Sequence, residues 1–179
     1  MDDADRIPED LTELGRLLMR GASTIRWVEA AERLVLQVDN LRDWLIKNHF
    51  LRMYMSESGP YAATDFAEAF NAACEISRGG SSALDASGLH RSSFAALGVA
   101  ANLCGRVQNS LRYAVHEIDE SDARAVALAV LYAMGYMDAT VDVNGDEVDG
   151  WGPNSLAYED RLSQPDRIPP TGAPARSGT

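Results

Sequence analysis

A chain of 179 residues, 46% hydrophobic and 24% charged, has the size and make-up of one globular domain that buries a core without disulfides or metal. Its formal charge of −11 opposes both nucleic acid and anionic membrane, because neutralisation of phosphates by Lys and Arg supplies most non-specific affinity for such surfaces. The longest uncharged apolar run, Ala125 to Met137, falls short of the roughly 18 to 20 residues of a bilayer-spanning helix.

The start, Met1-Asp2-Asp3-Ala4-Asp5, is acidic and leads into no apolar run, which is unlike a secretory signal. A cytoplasmic location is therefore expected. Lys47 is the only lysine among the basic residues, a bias that fits a high-GC source. Cys74 and Cys104 lie thirty positions apart in Ala-rich stretches and are expected to be small buried free thiols.

In chain order, Pro8 at a first helical position, with Glu9 and Asp10 facing the dipole, predicts a short helix ended by Gly21. Its Leu11, Leu14, Leu17 and Leu18 share one face. From Ser23 or Thr24 no Gly or Pro intervenes before Ser56-Glu57-Ser58-Gly59-Pro60. This predicts one long helix reaching Met55, a rod of about 45 Å. Trp27, Ala31, Leu34, Val38, Leu41 and Leu45 give its apolar seam, and Trp44, Leu51, Tyr54 and Met55 give a second stripe.

A third helix is expected from Pro60 or Thr64 to just before Gly79-Gly80, with Phe66, Phe70, Ala73 and Cys74 inward. Arg78 to His90 reads as a Gly- and Ser-rich loop. A fourth helix, Ser92 to Ile118, carries Gly98, Ala101 and Gly105, which permit close approach of a neighbour. A fifth, capped by Asp119 or Ser121 and running to about Met137, is apolar on nearly every side and is expected to be the most buried. Asn144-Gly145, between Thr140-Val141-Asp142-Val143 and Asp146-Glu147-Val148, predicts a type I′ hairpin. Residues after about Gly152 are rich in Pro, Ser, Gly and Thr and read as a disordered tail.

The expected fold is thus all-α: a bundle of about five helices with a long central helix, a small C-terminal β-hairpin and a disordered tail. The bundle would occupy residues 1–150 and the tail 151–179.

Catalytic patterns fail on inspection. The segment Thr140 to Trp151 lacks the first Asp and the bidentate Glu of a calcium loop. Residues three before the histidines are Ile46, Ser87 and Tyr113, not the glutamates of a di-iron bundle. Glu29-Ala30-Ala31-Glu32 resembles the paired magnesium-binding glutamates of helical nucleotide pyrophosphohydrolases, but no matching Glu-x-x-Asp pair follows. The pair then reads as charge on a solvated helix face. His116-Glu117 opens like a zinc motif, yet Glu120 stands where the second His belongs. Ser92 and Ser93 lack a nucleophile elbow. No catalytic residue, metal ligand or cofactor is assigned.

Charge is one-sided. Between residues 117 and 149 stand Glu117, Asp119, Glu120, Asp122, Asp138, Asp142, Asp146, Glu147 and Asp149 against Arg124 alone. This acidic region is the candidate binding surface. The expected function is a non-enzymatic interaction module, such as an adaptor, inhibitor or immunity-like antagonist, for a basic protein partner. The alternatives are a metal-dependent hydrolase with carboxylates drawn from several helices, or an assembly subunit forming homo-oligomers through the long helix.

Overall fold

In the computed structural model the described residues are 6–23, 25–106 and 111–135, with only the backbone for 111–113. They form eight helices and one two-stranded antiparallel sheet. The largely helical character is as expected, whereas the helix count and the mid-chain hairpin are not. The hairpin expected around Asn144-Gly145 and the tail from 151 lie outside the described residues.

Helix α1 (Leu11–Ala22) starts at Asp10, whose carboxylate accepts a 2.8 Å bond from the Thr12 amide. It runs past Gly21 and stops at Ser23, which takes a left-handed backbone (φ 53°). Leu14, Leu17 and Leu18 are buried as predicted, while Leu11 is exposed. Gly21 does not end the helix but lets the sheet approach it. A Cβ there would lie 2.0 Å from the Ala62 carbonyl oxygen.

The single long helix is instead α2 (Arg26–Gln37), a break at Val38, α3 (Asp39–Lys47) and then strand β1 (Leu51–Ser56). Local and long-range bonds together hold the break. Arg42 donates at 2.9 Å to the Leu36 carbonyl, which the helix end would otherwise leave open, and at 2.8 Å to Asp39. Asn40 donates to the Gly88 carbonyl and accepts from the His90 amide, both at 2.9 Å. The seam survives the break, since Ala31, Leu34, Val38, Leu41 and Leu45 are all buried. Trp27, in the first turn of α2, is 55% exposed.

His49 (φ 59°) turns the chain into β1, which pairs with β2 (Gly59–Thr64) in the register Leu51 to Thr64 through Ser56 to Gly59. Tyr54 and Tyr61, directly opposite, stack with ring centroids 5.3 Å apart. The second apolar stripe is correspondingly split. Trp44 and Leu51 are buried, while Tyr54 and Met55 are exposed on the strand.

Helix α4 (Phe66–Ser77) is capped by Asp65, which accepts from the Glu68 amide at 3.1 Å. The expected loop 78–90 contains α5 (Ser81–Ser87), bounded by Gly80 (φ 84°) and Gly88 (φ 85°) and anchored by buried Leu84. The expected fourth helix is α6 (Arg91–Leu103) followed by α7 (Leu111–His116). Gly105 (φ 65°) ends α6: its amide bonds Asn102, and that of Arg106 bonds Ala101, a Schellman closure.

Helix α8 (Glu120–Ala133) begins at Asp119 as expected, but it is not the most buried element. Leu131 and Met134 are exposed on it or at its end. Small Ala123 and Ala127 on its outer side are also exposed, which costs little apolar surface and needs no charge to tolerate. The centre is α6, with nine buried residues from Ser92 to Ala101, packed against α2, α3, α4, α5, α7 and α8. Val126 is buried and Val130 half-buried.

Candidate functional site

Of the nine acidic residues, Asp138, Asp142, Asp146, Glu147 and Asp149 lie outside the described residues. The other four gather where α6, α7 and α8 meet, and three have local bonding partners. Asp119 caps α8, accepting from the Asp122 amide at 3.1 Å and the Ser121 hydroxyl at 2.7 Å, and these bonds hold its carboxyl below the usual range. Asp122 accepts from the buried Ser92 hydroxyl at 2.6 Å, and that same oxygen accepts from the Asp119 amide at 3.1 Å. Ser92 therefore joins α6 to the start of α8. Glu117 forms an ion pair with Arg91. Glu120 is exposed in the first turn, where a carboxylate meets the positive end of the helix dipole.

The Arg91–Glu117 pair stands at the mouth of a cleft of about 310 Å³ between α4, α5, α6 and α7. Phe70 and Phe94 stack there at 5.9 Å, with Leu84, Ala95, Gly98 and Ala114 completing the apolar lining. Gly98 was legible in the sequence as a point of close approach. It lines this cleft, which the four successive helices α4 to α7 enclose.

A second polar cluster is buried and corrects the reading of Glu29 and Glu32 as a solvated pair. Glu32 is 2% exposed. Its two oxygens accept from the Thr64 amide at 2.9 Å and the Thr64 hydroxyl at 2.7 Å, tying α2 to the end of β2. Burial pushes its carboxyl up to about 7 against the two Thr64 bonds, which lower it. Three residues earlier, Glu29 accepts from the Tyr132 hydroxyl of α8. The Arg26 and Arg33 guanidinium groups lie 5.2 and 5.0 Å from the Tyr132 ring centre. Glu29 and Glu32 thus hold different neighbours and do not converge on one ion. Among the described residues no group of three or more His, Cys, Asp or Glu side chains could hold a metal.

Both cysteines are free and half-buried, and burial followed by the Glu32 charge pushes the Cys104 thiol up to about 12, far from a nucleophile's range. His49, His90 and His116 are exposed and separate in the sequence. No helix among the described residues is long and apolar enough to cross a membrane. Compared with protein-family models, curated proteins and solved structures, the chain matches none.

Proposed function

We propose that the chain is a non-enzymatic protein-interaction module whose cleft between α4 and α7 receives an apolar side chain of a partner carrying an adjacent basic residue. The observation behind this reading is the cleft itself, with two stacked phenylalanines and small residues inside and a carboxylate at its mouth. Apolar concavities with a few convergent polar groups are the usual sites of recognition. Glu117 is already paired with Arg91, and both are partly solvent-exposed, so a partner guanidinium can exchange with Arg91 at small cost. Glu120 and the overall negative charge favour the same sign of partner.

The test is a titration of the isotopically labelled chain with a short peptide carrying Leu or Phe beside Arg, and with the same peptide carrying Glu in place of Arg. Support requires shifts confined to Phe70, Leu84, Phe94 and their neighbours with the Arg peptide only, lost in Glu117→Lys and kept in Glu120→Gln. Equal response to both peptides, or shifts elsewhere, removes the reading.

A further inference from the structure

The hairpin has two long edges, and the bonding pattern distinguishes them. Asp65 donates its amide to the Phe50 carbonyl, so in the register of β1 on β2 the bonded pairs are Arg52 with Ala63, Tyr54 with Tyr61 and Ser56 with Gly59. The amides and carbonyls of Leu51, Met53 and Met55 therefore face away from β2. Among the described residues they meet no hydrogen-bond partner; Leu51 is buried, so the edge open to a partner is that of Met53 and Met55. A row of free donors and acceptors of this kind is a template for another strand.

Beside that edge lies a groove of about 410 Å³ between β1, the end of α3 and the segment at Ile7. Ile7, Ile46 and Met53 give it an apolar floor, and among the described residues Arg6, His49 and Arg52 are its only ionisable side chains. In a chain of net charge −11 this is a locally basic lining, opposite in sign to the net charge. It shares no residue with the cleft between α4 and α7.

We infer that β1 is a docking edge for an extended segment of a partner protein, which adds as a third strand and carries carboxylates that meet Arg6, His49 and Arg52. Main-chain bonds to Met53 and Met55 supply attraction independent of sequence, and the basic rim selects acidic side chains. Arg6 and Arg52 each hold an acid at the surface, Glu9 and Glu68 respectively, and such exposed pairs exchange readily.

The experiment uses the full chain with a short blocked peptide alternating Val and Glu, and a matched Val and Lys peptide. The Val/Glu peptide is expected to bind with salt-sensitive affinity and to slow hydrogen exchange at the Met53 and Met55 amides. The Val/Lys peptide is expected not to bind. Methylating the Val/Glu peptide at the amides that face β1 removes two or more bonds and should weaken binding by about tenfold or more. Met53→Pro, which deletes one outward amide, should do likewise. Should that variant fail to fold, the methylated peptide makes the same test on the unaltered protein. Binding that ignores methylation, equal binding of the Lys peptide, or no exchange protection overturns the proposal. So does a concentration-dependent dimer of the chain alone that Met53→Pro abolishes, since the edge would then belong to a second copy.

Discussion

The two edges of one hairpin are treated in opposite ways. On the β2 edge Pro60, Ala62 and Thr64 meet α1 and α2. Pro60 has no amide to donate, and its carbonyl accepts from Arg20 at 2.8 Å. The Ala62 carbonyl lies against Gly21, and the Thr64 amide is taken by Glu32. On the β1 edge the outward groups of Met53 and Met55 meet no hydrogen-bond partner among the described residues. Isolated two-stranded hairpins are marginal in water, so closing one edge onto α1 and α2 supplies the support that leaves the other edge free. The closed edge is where stability is concentrated, and the open edge is where substitution should cost least.

The largest effect should come from Gly21→Val. In an exposed helix, losing a glycine is mildly favourable. Here the new side chain meets the Ala62 carbonyl, so α1 and β2 must separate. We expect a loss of about 1 to 3 kcal/mol or more, measured as a lowered denaturant midpoint. An unchanged midpoint would mean that the β2 edge is not held by this approach.

Glu32→Gln comes next, read as a pH dependence. The carboxyl of Glu32 is raised by burial from an ordinary 4.5 to about 7. Its protonated form therefore favours the fold, fully below about pH 4.5, and that contribution is lost as pH rises through about 7. The shift corresponds to about 3 kcal/mol. Wild type should lose stability by that order between pH 4.5 and 8, and Glu32→Gln should be flatter over the same range. Parallel curves for the two proteins would place the pH dependence on other groups.

Part of this arrangement is visible in the sequence. The 3-and-4 spacing of Trp27, Ala31, Leu34, Val38, Leu41 and Leu45 identifies a buried seam at every position but Trp27, which is exposed, and Asp119 marks the start of α8. The break at Val38 is not legible, because no Gly or Pro marks it and its bonds reach Gly88 and His90 some fifty residues away. Leu51, Tyr54 and Met55 fit a helix stripe as well as they fit a six-residue strand, and pairing with β2 decides between them. Ser56 to Pro60 signals a turn but not that it joins two strands. Glu32 reads as a solvated helix charge because Thr64, which accounts for its burial, lies 32 positions on. The cleft at Phe70 and Phe94 is hidden for the same reason: each ring fits a core face, and only the packing of α4 on α6 leaves space beside them.

A smaller effect is expected from Arg20→Ala. The side chain is exposed, and its one bond across the hairpin goes to the Pro60 carbonyl. Loss of a single bond of this kind costs about 0.5 to 1.5 kcal/mol, so the melting temperature should fall by a few degrees at most. A fall as large as that of Gly21→Val would show that Arg20 carries more of the closed edge than its geometry indicates.

The smallest effect should be that of Met53→Pro, which is ordinarily a severe substitution in a sheet. Proline removes an amide, and in a bonded position it breaks the ladder. Met53 pairs with Ala62 at a non-bonded position, so its amide already points into the groove and no hydrogen bond of the folded chain is lost. Proline also reduces the freedom of the unfolded chain, which offsets part of the lost contact of a half-buried methionine. A change within about 1 kcal/mol is expected. Tyr54→Pro is the matched control one residue along, at a bonded position, and should cost clearly more. The pair of denaturation curves decides the register directly. If Met53→Pro is the more damaging of the two, the outward edge belongs to Arg52 and Tyr54, and the open edge proposed for docking is on the wrong residues.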